Sequence, residues 1–492
     1  MGFWRRQRVI RVFRIDEPEL FFGGNRKCLD PQVGLLNFGP HGGMGVDPQR
    51  KISIIAGIIG TDQSIDTTRV WLSRLRHRIA AEERPKTEYK GIDFPGMSLD
   101  SPLRFEILVD KNCIVKIDKK FVKNLRNVES RKDRILLAVR EYCKKLDDLT
   151  EAHPLPQIVL LPIDSSLLRL CKEPYRRTDK IIYQRRVFGD QDSTDAELFD
   201  FHNYLKAQAA LRNLVTQMIT PKTLVFAEEQ QSPAIIGWNV SVGMYYKATG
   251  IPWKLAEIEE DTCYVGVSFY NEIGQRGKSV RASIAQVYMR TGESQVIRGR
   301  PFEWDEEERG RTVYLNSSQM GEIIQDSIDL FLRQRNELPR RLVVHKSTRF
   351  SDDEIDGCEQ ASENIDELDI VHIRDWTGFR AYHLKHDYPI VRGNVIANSD
   401  EAILFTTGYV PALGTYPGPS APRPLHLICQ RIDTSIESIC RDMLGLTKLD
   451  WNSSTFYTRM PVTIGVSRKV GAVMAEMVSA GVTPPSSYRF YM

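Results

Sequence analysis

No two of the eight cysteines (Cys28, Cys113, Cys143, Cys171, Cys263, Cys358, Cys429 and Cys440) stand close enough to form a Cys-x-x-Cys pair. A zinc ribbon needs such pairs, and a disulfide framework needs denser cysteines, so a reduced, cytoplasmic protein is expected. No run of about 18 apolar residues occurs, which excludes a membrane-spanning helix by length. The N-terminus, MGFWRRQRVIRVF, is basic but lacks the long apolar stretch of a signal peptide. The Asn-x-Ser sequon at Asn452 therefore carries no weight. Charge of one sign is not in excess either. There are 67 basic and 64 acidic residues, a formal net charge of +3. Any nucleic-acid surface must then be a local groove rather than a polycationic coat. Internal repeats, long low-complexity tracts and a Walker-type phosphate loop are all missing.

What is present is an ordinary globular composition, 492 residues at 41% hydrophobic and 27% charged. That length is enough for roughly two to four domains with a large core. The first half alternates apolar runs with helical spacing. Strands are predicted at Ile52 to Ile59, Arg104 to Val109 and Gln157 to Ile163, with helices at Asp66 to Ala81 and Arg131 to Leu149. The third run is almost wholly apolar, as in a strand covered on both faces. This order argues for an α/β unit with a mostly parallel sheet. In the second half, Tyr264 to Phe269 and Val280 to Met289 read as neighbouring strands. Then follow helix Met320 to Gln334, strand Arg341 to His345, helix Ser351 to Asn364 and strand Leu368 to Ile373. The pattern describes a ribonuclease H-like topology, and other mixed sheets too. Arg177 to Asp195 and Pro411 to Pro424 read as connections.

Thr194 and Glu197 form a T-x-x-E capping box that predicts a helix start at about Asp195. On that helix His202 and Lys206, four residues apart, share one face. Ala207, Ala209 and Ala210 leave room for close approach, and Gln217 and Lys247 follow. Two lysines, an imidazole and an amide make a chemically sensible phosphate cradle. Taken singly, each of these residues is more often a solvated surface group.

Order and context sharpen the reading. HNYLK, then TQMI, then YYKATGIPWKL resembles the guide-binding pocket of Argonaute MID domains. That family places Tyr or His, then Lys four residues on, then Gln, then a second Lys before Pro-Trp. His202, Lys206, Gln217 and Lys247 occupy those positions. DEPELFFGG and GLLNFGP near the start, and YPIVRG and APRPLHL later, are similar to further segments of short prokaryotic Argonautes. The resemblance implies a Rossmann-like MID domain over 51–255 and a ribonuclease H-like PIWI domain over 256–492. An N-terminal segment, 1–50, would pack on both, with no room for the remaining domains of long Argonautes. It implies that the four residues bind a guide 5′ phosphate. It also implies that the terminal carboxylate of Met492 returns to the pocket and, with Gln217, holds Mg2+. The implied partners are a guide RNA, a single-stranded target DNA and an APAZ-domain effector (TIR or Sir2 NADase, or nuclease). With the effector the chain would form a heterodimer, or a higher oligomer on activation, serving prokaryotic defence.

Active PIWI domains cut with four metal-binding side chains. By the same resemblance those slots fall here at Ser268 in YVGVSF, Glu322 in GEIIQD, Ser347 after LVVHK, and Arg468 in GVSRKV. Serine is a poor ligand for a hard dication and arginine repels it, so no target cleavage is expected. Two other readings stay open. One is a metal-dependent nuclease with a non-standard site using acids such as Asp352 or Asp353. The other is an α/β protein whose pocket takes a nucleotide, although the glycine-rich Gly39 to Gly45 precedes its strand instead of following one. His372, His383 and His386, with Asp375 and Asp387, match no common zinc spacing.

Overall fold

The computed structural model describes residues 9–42, 47, 49–82, 91–171, 200–227, 231–248, 250–256, 261–271, 279–288, 294–304, 312–375, 377–382, 388–416, 421–481 and 483–492. The Thr194/Glu197 capping box, the 177–195 connection, His383, His386 and Asp387 lie outside them.

Strand β1 is Arg11–Arg14. The first half is then built on four parallel strands, β2 (Ile52–Gly60), β3 (Phe105–Lys116), β4 (Ile158–Pro162) and β5 (Thr216–Ile219), in the order β3-β2-β4-β5. Every residue of β4, IVLLP, is buried, because helices cover both faces. Helices α1 (Asp62–Leu75) and α4 (Pro233–Ala248) pack on one face. Helices α2 (Arg131–Thr150) and α3 (Phe201–Leu211) pack on the other. Helix α1 begins four residues ahead of the predicted start, because the Thr61 side chain caps it by accepting from Ser64 N. It also ends early, and Ile79 instead pairs with Phe94.

The second half centres on a ten-stranded sheet. Strands β6 (Thr262–Asn271), β7 (Ser279–Tyr288) and β8 (Ser294–Arg298) form an antiparallel meander. Strands β9 (Arg341–Lys346) and β10 (Glu367–Arg374) add parallel on the far side of β6, giving the order β8-β7-β6-β9-β10. This is the third-second-first-fourth-fifth order of a ribonuclease H-like sheet. Beyond β10 the sheet continues through β13 (Leu425–Arg431), β12 (Glu401–Leu404), β11 (Asn394–Ala397) and β1. Helices α5 (Ser317–Arg335) and α6 (Asp352–Ala361) cover one face of β6 and β9 through Val265, Val267 and Val344. Helix α8 (Ser467–Ser479) lies on the other. There a side chain at Gly266 would collide with the Thr463 carbonyl. Helix α7 (Ile436–Leu446) packs against the β11–β13 side.

One hydrophobic cluster runs through both halves. It joins Ile54 and Trp71 to Tyr264, Val470, Tyr491 and Met492. That continuity seats the end of the chain against the first-half sheet, where the site lies.

Candidate functional site

Asp200 caps α3, its carboxylate accepting from Asn203 N at 2.9 Å. Capping fixes the first turn and sets His202 and Lys206 on one side of the helix. Lys206 is buried, and its Nζ donates to the main-chain oxygen of Met492 at 2.6 Å and of Tyr491 at 3.4 Å. Lys247 occupies the last turn of α4, where a cation suits the helix dipole. Its Nζ donates to Gln217 Oε1 at 2.7 Å and to Thr216 O at 3.1 Å. The Gln217 amide nitrogen donates in turn to Met218 O at 3.0 Å. His202 Nδ1 lies 3.2 Å from Asn203 Oδ1.

The electrostatics tie these residues into one site. Burial, reinforced by Lys469, pushes the Lys206 ammonium down to about 8 against the opposing pull of Asp200. Burial and the neighbouring Lys206 charge drive Lys247 well below the ordinary lysine value. Burial, then Lys206, takes His202 down to about 4, with Lys247 adding to the shift. Among the described residues no carboxylate side chain pairs with Lys206 or Lys247. Keeping Lys206 charged thus costs about 3 kcal/mol, since one unit of pKa shift is about 1.4 kcal/mol. An anion entering beside these groups would offset that cost.

The returning chain end is firmly held. Tyr488, Tyr491 and Met492 are buried. Val296 N on β8 donates to Ser486 O at 2.6 Å, and Tyr491 OH donates to Pro485 O at 2.8 Å. The Tyr246 ring lies 4.6 Å from Trp451 and 6.2 Å from Tyr488.

The second constellation is dispersed. Ser268 lies on β6 and its buried hydroxyl has no hydrogen-bond partner among the described residues. Ser347 follows β9 and is exposed. Because Lys346 stands opposite Val267, the two serines sit at adjoining strand positions. Glu322 is on α5, 3.3 Å from the Arg300 guanidinium, and lines a cavity of about 440 Å³ with Arg298 and Gln325. Arg468 is in the first turn of α8. Asp352 and Asp353 are exposed in the first turn of α6. Among the described residues no three His, Cys, Asp or Glu side chains are placed to share a metal ion.

Compared by sequence, the chain matches no family model and no curated protein. Compared by structure, it is similar to Clostridium butyricum Argonaute bound to a guide DNA and a 19-mer target DNA. The TM-score is 0.64 at 16% identity, over 96% of this chain and 54% of that one. A. aeolicus Argonaute superimposes with a TM-score of 0.56 at 14% identity, over 96% and 54% of the two chains. An Aa-Ago structure with externally bound siRNA gives 0.57 at 14%, over 98% and 56%. The fold is Argonaute-like. The chain spans about half the length of these Argonautes, and its two halves have the Rossmann-like MID and ribonuclease H-like PIWI architectures.

Within the Argonaute-like fold the structure shows a feature that motif reading passed over. Lys346 and Glu354 are both buried and paired at 2.5 Å. The Lys346 ammonium lies 4.8 Å from the centre of the Tyr314 ring, 5.2 Å from Phe269 and 5.5 Å from Phe350. Burial lowers the lysine pKa and Glu354 partly restores it. Glu354 also accepts from Leu315 N at 3.0 Å and Ser351 N at 2.9 Å. In the sequence Glu354 is simply the last residue of an S-x-x-E capping box, which the structure also forms. That local role hides the buried pair.

Proposed function

We propose that the chain holds the 5′ phosphate of a short guide strand in the His202, Lys206, Gln217 and Lys247 pocket. The guide then selects a complementary strand by base pairing. The observation that carries the proposal is the convergence of two buried lysines, neither with a carboxylate side-chain partner, on one amide and the chain's last main-chain oxygens. Positive charge prepaid in a desolvated pocket is a means of capturing a terminal phosphate. The Argonaute-like fold supports a strand as the ligand, and the C. butyricum neighbour holds both a guide and a target.

Following the family resemblance, the guide is proposed to be RNA and the target single-stranded DNA. The chain is proposed to act as the recognition subunit of a prokaryotic defence pair and to switch on an APAZ-domain effector. Cleavage of the target is not assigned to it, because the slots for metal-binding carboxylates hold Ser268, Ser347 and Arg468.

A divalent cation fits the pocket only as a companion of the phosphate. Gln217 Oε1 and the Met492 main-chain oxygen are hard oxygen donors suited to Mg2+, but in the structure each accepts from a lysine. Two protein oxygens leave most of a six-coordinate shell to phosphate and water. When bound, the cation would help to neutralise the phosphate charge.

The test is binding of fluorescent RNA and DNA 20-mers with 5′-phosphate or 5′-hydroxyl ends to the full chain, alone and with its co-encoded partner. A preference for the phosphate of at least about tenfold, about 1.4 kcal/mol, supports the proposal. Equal binding of the two ends overturns it.

A further inference from the structure

The ten-stranded sheet ends in β1, and the outer edge of that strand is open among the described residues. Strand β1 pairs antiparallel with β11, Arg11 opposite Ala397 and Phe13 opposite Val395. Ile15 N donates to Gly393 O at 2.9 Å, which sets the phase of the ladder. In an antiparallel pair the hydrogen-bonding groups of successive residues alternate between the two edges of a strand. The amides and carbonyls of Ile10, Val12 and Arg14 therefore point away from the sheet. The side chains there are apolar as well: Val9, Ile10 and Val12 are 72%, 69% and 73% exposed. Two other edges are closed. Along β3 the register jumps from Val109 to Ile114 while β2 advances only from Ala56 to Ile58, a bulge that breaks the edge. Beside β8, Val296 N donates to Ser486 O of the returning chain end.

The sheet face beside this edge is also half bare. In β11 and β12 one set of alternate residues is buried on the α7 side, whereas Ile396 and Ile403, on the other face, are only half-buried. Val12 is registered opposite Ile396, and Ile396 opposite Ile403, so an aliphatic row runs across three strands to the open edge. The charges on β1 are not equally available. Arg11 is taken, 2.7 Å from Glu437 of α7. Arg14 is half-exposed and 3.7 Å from Asp16, which is itself almost fully exposed. A pair so exposed contributes little and exchanges readily for a better one.

We propose that β1 is a docking edge for an extended segment of a different polypeptide, which adds an antiparallel strand with aliphatic side chains opposite Ile10 and Val12 and an acid opposite Arg14. Main-chain groups supply the adhesion and the alternate side chains supply the selection. The residues of β1 decide against a second copy of this chain as the occupant. Two copies must set outward-pointing residues against each other. Centred on Val12, such pairing puts Ile10 against Arg14 twice. Centred on Arg11, it puts like charges directly opposite, which is destabilising. Centred on Phe13, it puts Val12 against Arg14 and Ile10 against Asp16. Self-pairing is also too small. A few residues of strand fall well short of the about 1,000 Å² that a specific interface needs, and both aliphatic rows would stay open. A different chain can follow its strand with a segment that covers the row. The inference stands whether or not the pocket holds a guide.

The experiment uses the full chain and two fluorescent peptides. SETVTVS, paired antiparallel, sets its glutamate against Arg14 and its valines against Val12 and Ile10; SKTVTVS carries lysine in place of the glutamate. Fluorescence polarisation should show the glutamate peptide binding several-fold more tightly, the effect of one cross-strand charge pair. Val12→Pro removes an outward N–H without touching a bond to β11, a position where an edge strand tolerates proline. It should abolish binding of both peptides while the melting temperature stays close to wild type. Arg14→Glu should reverse the peptide preference. In hydrogen exchange on the free chain the Val12 and Arg14 amides should exchange fast and Phe13 slowly, and saturating SETVTVS should slow the first two. Equal binding of the two peptides, no binding of either, or binding that persists in Val12→Pro would overturn the proposal. Val12 and Arg14 amides already protected in the free chain would overturn it too, by showing that the chain itself fills the edge. A concentration-dependent dimer lost in Val12→Pro would assign the edge to a second copy and equally overturn it. Neither peptide carries a phosphate, so failure here leaves the 5′-phosphate preference untouched, and failure of that preference leaves this edge untouched.

Discussion

Glu17 and Arg392 stand 375 residues apart in sequence, yet Glu17 Oε2 lies 2.9 Å from Arg392 Nε in the buried seam between the N-terminal segment and the large sheet. Lys448 shares the carboxylate, its Nζ 2.9 Å from Glu17 Oε1. Burial alone would raise the Glu17 pKa, but the attraction of Arg392 and Lys448 outweighs it and holds the carboxyl below its ordinary value. Replacing Glu17 by Gln leaves two buried cations without their anion and is expected to cost about 3–5 kcal/mol. Because the folded pKa is lowered, the wild-type contribution is complete above the unfolded value and fades as pH falls through the folded one. Urea denaturation at pH 7 and pH 4 tests this. The gap between wild type and Glu17→Gln should be wide at pH 7 and narrower at pH 4, and equal gaps would remove the ion pair from the account.

That pair also marks the limit of what the chain discloses one segment at a time. DEPEL and YPIVRG are visible as segments, but nothing local says that Glu17 and Arg392 meet. Elements with a strong local signal were legible. The apolar run of β4 and the helical spacing of α2 appear in the structure nearly as written. So was the His202/Lys206 face, because four residues is a helical spacing wherever the helix lies. The return of Met492 to the pocket was expected only through family resemblance, and its hydrogen bond to Lys206 was not expected at all, since a contact between distant residues has no period.

Lys247→Met tests whether the pocket trades stability for binding. Methionine keeps the length of the side chain and discards a charge that burial disfavours. The preference for a 5′ phosphate is expected to fall at least about tenfold, while the melting temperature stays level or rises. A variant that melts well below wild type and keeps its end preference would show that Lys247 is structural.

Binding should depend on pH in a defined direction. Lys206 in the free protein titrates at about 8, and a bound phosphate pulls that value upward. Above pH 8, binding must therefore take up a proton, and affinity should fall toward tenfold per pH unit. Below about pH 6 the phosphate monoester loses its second charge and affinity falls again. The expected profile has its maximum between those limits, and Lys206→Met should lose the upper limb. Stability moves the other way. Between pH 8 and the ordinary lysine value the folded chain binds fewer protons than the unfolded chain, so the fold gains as pH rises. A flat affinity profile from pH 7 to 9.5 would rule out the linkage.

The buried Lys346–Glu354 pair makes simple restoration of cleavage unpromising. Ser268 and Ser347 can be changed to Asp, but Ser347 directly follows the caged Lys346, and Ser268 alternates to the opposite face of β6 from the Val267 registered against that lysine. Glu322, the one retained slot, sits beside Arg300, whose charge opposes a metal. The double variant Ser268→Asp/Ser347→Asp, loaded with a guide and given Mg2+ or Mn2+, is therefore expected to leave a complementary strand intact. Removing the lysine does not open the site cheaply either. Lys346→Met strands a fully buried Glu354 and should destabilise by about 3–5 kcal/mol, whereas Lys346→Met/Glu354→Gln should recover most of that loss. Metal-dependent cleavage by the serine double variant would overturn the reading of this PIWI-like half as a recognition scaffold. Equal melting of the Lys346 single and double variants would show that the pair contributes nothing.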